Sequence, residues 1–389
     1  MDADVLLVSL MHGDRLNGLA ASASGERIER RGSAVLKAFS GMTEKLVATW
    51  QLRRTELQLL LGVIALSAVY SLLYPASFRT LANVLEMSRV GGILFVAAMA
   101  QSFALIVGGF DISVAANMGF VSIVSALYMA EGGSVVIAVI LGLLGGTGVG
   151  LTNGLLIGRL GVTPFVATLG SLTFLYGLSD QLSDGGSVAG LPATLSWLGR
   201  SDWGPIPSTV AIACIAFALA WAILARSRAG LYIFSIGGSR ETARVSGIPV
   251  VRYEVLAYTL CGFFTAIAGV MLTARVSVGQ GSLGRGYELL SVATAVIGGV
   301  AIGGGVGRLS GVFLGVVLLT VLTTGLDIGG INQFVQQMVT GLVLIGAVLI
   351  ARTRGAKAGA LSKLFRRQKY ANADPGMSAG DERPGAARA

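Results

Sequence analysis

The chain has 389 residues, of which 53% are hydrophobic, 13% are charged and 56 are glycine, and its mean hydropathy is +0.75. Soluble domains carry about 25% charged residues, so this composition excludes a water-soluble enzyme. The formal net charge is +9. Because its basic residues concentrate in the C-terminal tail, the charge indicates anionic lipid or membrane topology rather than a nucleic-acid groove.

Residues 1–56 contain no apolar run of membrane length and are predicted to form a cytoplasmic N-terminal tail. They do not read as a secretory leader, because Asp2 and Asp4 precede the short apolar stretch 5–11. Apolar residues at helical spacing between positions 34 and 46 favour an interfacial helix. The alternative is that this tail is disordered or that its translation start is wrongly assigned.

Ten charge-free runs of at least 18 residues follow, each long enough to cross about 30 Å of hydrocarbon. They predict an all-α, polytopic membrane bundle of about ten transmembrane helices over residues 57–351, with eight crossings and two re-entrant segments as the alternative. The stretch 185–199 is shorter, polar and carries Pro192, so it is predicted to be a loop. The ten runs are 57–78, 90–110, 112–130, 132–158, 160–179, 203–225, 255–274, 289–307, 309–326 and 328–351.

The basic residues near these runs predict the orientation, because cytoplasmic loops collect Lys and Arg. If the N-terminus is cytoplasmic and all ten runs cross, the outer segments between 45 and 369 hold only five basic residues: Arg79, Arg89, Arg200, Arg275 and Arg285. The inner segments hold 17. Both termini are therefore predicted to be cytoplasmic, and residues 352–389 form a tail that is first basic and then disordered.

Two of the runs carry glycine at every fourth position. Small residues at this spacing let helix backbones approach closely in lipid, so both strips are interpreted as packing faces, with a solute path as the alternative. The strips are Gly142, Gly146, Gly150, Gly154 and Gly158, and Gly299, Gly303, Gly307, Gly311 and Gly315.

Two helix breaks are also predicted. A single helix from Glu288 to Ile328 would be about 60 Å long, twice the hydrocarbon thickness, so it must break, and the glycine cluster 303–308 is the expected place. A second break is expected at 108–113, where Asp111 stands between two apolar runs. Interrupted helices are a usual place for a transport pathway, although Asp111 could instead lie at the cytoplasmic interface between two ordinary spans.

Several chemical sites are excluded. Cys214 and Cys261 lie inside apolar runs and are interpreted as small core residues, so there is no disulfide framework or Cys-rich metal site. His12 has no partner motif. The GxGxxG match at 279–284 follows a span instead of a β-strand, and no P-loop is present. The sequence therefore predicts no metal, no cofactor and no catalytic residue, and an ATPase that drives transport must be another polypeptide.

The longest internal cytoplasmic loop, 226–254, is predicted to contain a docking element. Glu241 to Val245 can form a short helix that Ser239 caps and Gly247 ends. This loop resembles the coupling loop in the permease subunits of ribose, xylose and galactose-type ABC sugar importers. The resemblance covers about 57–351 and rests on motifs that occur in order: 108–114, 153–154, 162–170, 287–289 and 296–299.

Three features depart from the family pattern. Ser239 replaces the usual Asn, Ala115-Ala116-Asn117 replaces the usual Gly-Ser, and the N-terminal tail is longer. The change at 115–117 lies near the expected pathway, so it leaves the particular sugar open.

The resemblance implies an inner-membrane importer core. Its partners would be an ATP-binding subunit (a twin-cassette ATPase), a periplasmic sugar-binding protein, a second permease protomer and a monosaccharide. The residues expected to dock the ATPase are Glu241, Thr242, Ala243, Arg244, Ser246 and Gly247. The residues nominated for the pathway, because hydroxyls, amides and an aromatic face suit a sugar, are Asp111, Ser113, Asn117, Asn153, Phe165 and Thr168.

Other interpretations remain open at this point. Asn117, Asn153 and Thr168 could simply form interhelical hydrogen bonds. The broken helices alone would also suit an ion-coupled secondary transporter of a small polar solute, and the glycine strips would suit a membrane scaffold or lipid-handling protein.

Overall fold

The computed structural model describes residues 55–346 and 349. The described residues from Glu56 onward belong to one compact unit. The predicted tails, apart from the first helical residues at Thr55 and Glu56, lie outside the described residues, and so does the expected interfacial helix.

The described chain is mostly helical, in agreement with the predicted class. Its regular elements are α1 (Thr55–Leu73), α2 (Pro75–Phe78), α3 (Leu81–Ile106), α4 (Val114–Ala130), α5 (Val135–Gly158), α6 (Pro164–Leu182), α7 (Ser196–Gly199), β1 (Asp202–Trp203), β2 (Ile206–Pro207), α8 (Ser208–Trp221), α9 (Arg228–Gly238), α10 (Arg240–Val245), α11 (Val250–Val276), α12 (Tyr287–Ile297), α13 (Leu309–Ile328) and α14 (Gln333–Gly346).

Within the described residues, six helices are long and apolar enough to cross a membrane: α1, α3, α5, α8 with its π-helical extension to Arg226, α11 and α13. The other four predicted runs also contain helices. α4, α12 and α14 are shorter than 18 residues, and α6 carries polar residues that reduce its apolar character. A polytopic membrane bundle is confirmed, and the number of crossings stays a prediction.

Helix α11 lies at the centre of the bundle and packs against α3, α4 and α5. The C-terminal part of α3, from Gly92 to Ile106, is buried throughout, which explains why its sequence, apart from the buried polar Gln101 and Ser102, is apolar on every face. Phe103 of α3 stacks on Phe264 of α11, with ring centroids 5.4 Å apart. This stack joins α3 to α11 within the core of the bundle.

The glycine strip of α5 is a packing face, as predicted. A Cβ at Gly150 would stand 2.8 Å from the Cα of Gly262, and one at Gly154 would stand 2.9 Å from the Cα of Val255. A Cβ at Gly146 would stand 2.8 Å from a methyl group of Val121 on α4. The α5 backbone therefore lies directly against α11 and beside α4, closer than any larger residue allows.

The second glycine strip is not a helix face, which corrects that interpretation. Gly299, Gly303 and Gly307 lie in the non-helical segment 298–308, and only Gly311 and Gly315 belong to α13. Gly299 has φ +92°, a conformation that ends a helix. The predicted break between α12 and α13 is thus confirmed, but it begins earlier than the 303–308 cluster.

The break expected at 108–113 is also confirmed, since α3 ends at Ile106 and α4 begins at Val114. The predicted helix in the 226–254 loop is present as α10, with Ser239 as its cap and Gly247 at φ +79° after its end. Helix α9, which was not predicted, occupies the first half of the same loop.

The end of the bundle opposite α10 is closed by a short hairpin and ion pairs. The β1 and β2 strands pair antiparallel, with Asp202 opposite Pro207. Arg89 of α3 binds Asp202 at 2.6 Å, and Glu86 of α3 pairs with Arg275 of α11. The 279–284 segment packs on α4, where Ser122 accepts a hydrogen bond from the Gln280 backbone N–H at 3.2 Å, so it has no βαβ context.

Candidate functional site

The break between α3 and α4 presents a buried carboxylate. Asp111 Oδ1 accepts hydrogen bonds from the Ser113 backbone N–H at 2.8 Å and from the Ser113 hydroxyl at 2.5 Å. Both side chains are buried. With its amide turned to satisfy both partners, Gln101 donates to the Asp111 carbonyl at 2.9 Å and accepts from the Asp111 N–H at 3.1 Å. Hydrogen bonds to both the backbone and the side chain of Asp111 therefore hold this loop.

Two further helices join this loop through hydrogen bonds. Asn153 of α5 donates to the Ser113 hydroxyl at 2.9 Å, and Ser171 of α6 donates to the Asn153 Oδ1 at 2.5 Å. Asp111, Ser113, Asn153 and Ser171 thus form one chain, which we call the polar network. It brings together three of the six nominated pathway residues.

The polar network lies at the level of the middle of α11. Cys261, near the midpoint of that 27-residue helix, places its Sγ 3.7 Å from Asp111 Oδ2. Asp111 is therefore level with the interior of the bundle rather than with the end of α11. Cys261 is buried, as expected of a small core residue, whereas Cys214 is exposed.

The remaining three nominated residues are outside the polar network. Asn117 donates to the Gly146 carbonyl at 3.1 Å, which joins α4 to α5, and its buried Oδ1 has no partner. The Thr168 hydroxyl donates a hydrogen bond to the Pro164 carbonyl of its own helix at 2.8 Å. Phe165 is 50% exposed and its ring lies 6.2 Å from that of Phe110. Only Phe165 presents a free surface.

Helix α10 presents charged and polar side chains outward. The Ser239 hydroxyl accepts from the Thr242 N–H at 3.2 Å, which caps the helix. Ala243 is buried against the main core, so it anchors the helix instead of offering a surface. The exposed members of the nominated docking set are Glu241, Thr242, Arg244, Ser246 and Gly247.

Comparison with known proteins identifies the family. A model described as the branched-chain amino acid transport system / permease component matches residues 83–348. This chain belongs to that permease family. The match includes both helix breaks, the polar network and α10. No solved structure matches the chain.

Curated relatives of this permease are sugar importers by name. It is 35% identical to the ribose import permease protein of Bacillus subtilis over 298 residues, 76% of this chain and 92% of the relative. It is 32% identical to the galactose/methyl galactoside import permease protein of Haemophilus influenzae (77% and 93%). It is 30% identical to the L-arabinose transport system permease protein of Escherichia coli (75% and 89%). These matches confirm the resemblance that the sequence motifs indicated.

An ion pair joins α10 of the permease to α11. Arg240 donates to both carboxylate oxygens of Glu254, at 2.8 and 2.9 Å. The Arg240 side chain is 62% exposed and that of Glu254 only 11%. Sequence reasoning missed this pair, because fourteen positions separate its members and no local pattern joins them.

The unequal burial of the pair predicts an unequal response to substitution. Arg240→Ala leaves the Glu254 charge buried without a partner, and we expect it to lower the unfolding free energy by about 1 to 3 kcal/mol. Glu254→Gln leaves Arg240 free to be solvated and should cost less. Thermal unfolding of the purified variants in detergent measures the order, and the reverse order would contradict this account of the pair.

The polar network predicts that Asn153 is needed for stability. Asn153→Ala removes the partner of two hydroxyls, and we expect a loss of about 1 to 3 kcal/mol in unfolding free energy. Thr152→Ala is the matched control, since the adjacent Thr152 is exposed and bonds only the Gly148 carbonyl of its own helix. Equal melting temperatures for the two variants would contradict a structural role for the network.

A cavity of about 900 Å³ lies between α1, α3, α8 and α13. Its walls are mainly apolar and include Phe95, Phe217 and Phe313. None of the nominated pathway residues lines it.

Proposed function

We propose that this permease is the membrane subunit of an ATP-driven importer that carries a monosaccharide across the inner (plasma) membrane. In this proposal ATP hydrolysis takes place on a separate subunit. The observation that carries the proposal is the match to sugar import permeases over about three quarters of the chain. The family description refers to branched-chain amino acids, but the sugar class is favoured because the matched relatives are named for ribose, galactose and arabinose import.

The proposed partners follow from this role. A separate ATP-binding subunit docks on α10 through Glu241, Thr242, Arg244, Ser246 and Gly247, on the cytoplasmic side that also holds both termini. Exposed charged and hydroxyl side chains on a rigid, anchored helix support this assignment. A periplasmic sugar-binding protein delivers the solute to the opposite face, and a second permease protomer completes the core.

The proposed pathway runs beside the α3–α4 break. Asp111, Ser113 and Asn153 form its polar wall, with Asn117 one helical turn further along α4. Phe165 supplies an exposed aromatic face at the start of α6, suited to the apolar face of a sugar ring. Thr168 lies on the same helix one turn later, although its hydroxyl already donates a hydrogen bond to the Pro164 carbonyl.

Transport requires two permease conformations that open to opposite sides. ATP binding closes the ATPase pair and favours one conformation, while the loaded binding protein favours another. Each partner shifts the equilibrium only by its difference in affinity for the two states. The irregular backbone at 107–113 and 298–308 supports this scheme, since non-helical segments at membrane depth can rearrange without breaking helical hydrogen bonds.

Reconstitution tests the proposal. The permease, its ATPase and its binding protein are placed in proteoliposomes with ribose, galactose, arabinose and leucine as labelled solutes. We expect ATP-dependent uptake of at least one sugar and none of leucine. Uptake of leucine alone would overturn the sugar assignment, and uptake driven by an ion gradient without the ATPase would establish a secondary transporter.

A further inference from the structure

Three segments of the permease meet backbone to backbone at a glycine junction. Gly237, at the C-terminal end of α9, faces the Ile106 carbonyl of α3 and the Gly305 nitrogen so closely that a Cβ at Gly237 would overlap both atoms. The Gly305 N–H donates to that Ile106 carbonyl at 2.9 Å. Gly237 therefore touches the start of the α3–α4 break and the middle of the α12–α13 break at once.

Glycine is required on the other sides of the junction too. A Cβ at Gly304 would stand 2.8 Å from the Cα atoms of both Gly108 and Gly237, and one at Gly305 would stand 2.7 Å from the Cα of Gly238. Gly304 and Gly305 also have φ of +83° and +73°, which favour glycine. No side chain separates the three segments, so a displacement of one is transferred directly to the others.

The same junction is joined to α10 by a very short connection. Ser239 ends α9 and caps α10, and its N–H donates to the Ser235 carbonyl at 3.2 Å. Gly237 is thus two residues from the cap of the proposed docking helix. On the other side of the junction, Gly108 is three residues from Asp111 of the polar network.

We infer that the Gly237 junction is the positioning element that transmits movement of α10 to both helix breaks. This inference rests on the proposed function and deepens it. Because Gly237 lies at the end of α9 that joins α10, movement of α10 displaces this glycine and, with it, the two irregular segments. The polar network and the α12–α13 break would consequently change position in the same step.

Neighbouring glycines provide a matched test. Gly237→Ala introduces a methyl group against two backbone segments, whereas Gly238→Ala introduces one where nothing lies within 4 Å. In the reconstituted complex we expect Gly237→Ala to reduce solute transported per ATP hydrolysed by about tenfold, with ATPase binding unchanged. We expect Gly238→Ala to match the wild type. A wild-type transport ratio for Gly237→Ala overturns the inference.

A wild-type measurement decides the matter if Gly237→Ala does not insert. Hydrogen exchange of the complex is compared with and without ATP plus vanadate. The inference predicts that protection changes at 104–109 and 300–307 together with 239–247, and a change confined to 239–247 overturns it. Failure of the proposed function is distinguishable, because the wild-type complex would then show no ATP-dependent uptake of any of the sugars.

Discussion

We expect Glu241→Lys to abolish uptake while leaving the permease inserted in the membrane. Glu241 is exposed in the first turn of α10, where a carboxylate also interacts favourably with the helix N-terminus. Lysine reverses a charge on the proposed docking surface, and a like-charge contact in an interface costs several kcal/mol. Because the core does not depend on Glu241, the expected loss is of ATPase binding and of uptake, by about a hundredfold or more.

The matched control is Glu131→Lys, which reverses an exposed charge at the end of α4, on the predicted outer side. We expect it to keep ATPase binding near the wild-type level. Co-purification of the ATPase and ATP-dependent uptake are measured for both variants. Unimpaired uptake by Glu241→Lys would count heavily against α10 as the docking site.

Gly150→Val prevents the α5–α11 contact and should give the largest loss of stability. The new side chain would meet the backbone of Gly262 and the Tyr258 carbonyl, and neither is the flexible end of a side chain. Overpacking typically costs about 1 to 3 kcal/mol, and we expect the upper end or more because both walls are backbone. Loss of the inserted protein and a lower melting temperature are the expected results.

Gly148→Val is the control on the same helix, two residues away, where nothing lies within 4 Å. It carries the same helix-propensity cost, so the difference between the two variants isolates packing. Equal yields and melting temperatures would show that α5 and α11 separate without penalty and would contradict the packing role of the strip.

Much of the fold was predictable from local sequence properties. The α5 strip has one glycine per helical turn, so its role followed from spacing alone, and Ser239 and Gly247 mark the ends of α10 with residues whose capping chemistry is local. The two breaks were predictable for a physical reason: a charge at Asp111 and an excess of helix length between Glu288 and Ile328 cannot be accommodated in hydrocarbon.

What the sequence could not predict depends on contacts between distant segments. The second glycine strip has the same spacing as the first. However, its members within 298–308 are not helical, because Gly304 and Gly305 in that segment have positive φ and pack closely against Gly237. Ser171 and Gln101 carry no motif, yet Ser171 completes the polar network and Gln101 bonds the Asp111 backbone. Such contacts are fixed by packing and are not encoded in periodicity.

The nominated pathway set shows the same division. Asp111 and Ser113 were identifiable together because they are two residues apart in the break, and Asn153 joins them across forty positions. Thr168 looked equally polar in sequence, but its hydroxyl bonds its own helix, as threonine often does. Residue type alone did not show which polar side chain joins other helices and which one bonds its own helix.

The orientation of α10 tests the central claim most directly. In a variant with Cys214 and Cys261 replaced, a single cysteine is introduced at exposed Ser246 or, as the outer control, at exposed Ser187, and intact cells are treated with a membrane-impermeant thiol reagent. The account predicts labelling at position 187 and, at position 246, labelling only after the cells are opened. Labelling at position 246 in intact cells would place α10 on the wrong side of the membrane for a cytoplasmic ATPase and would contradict it.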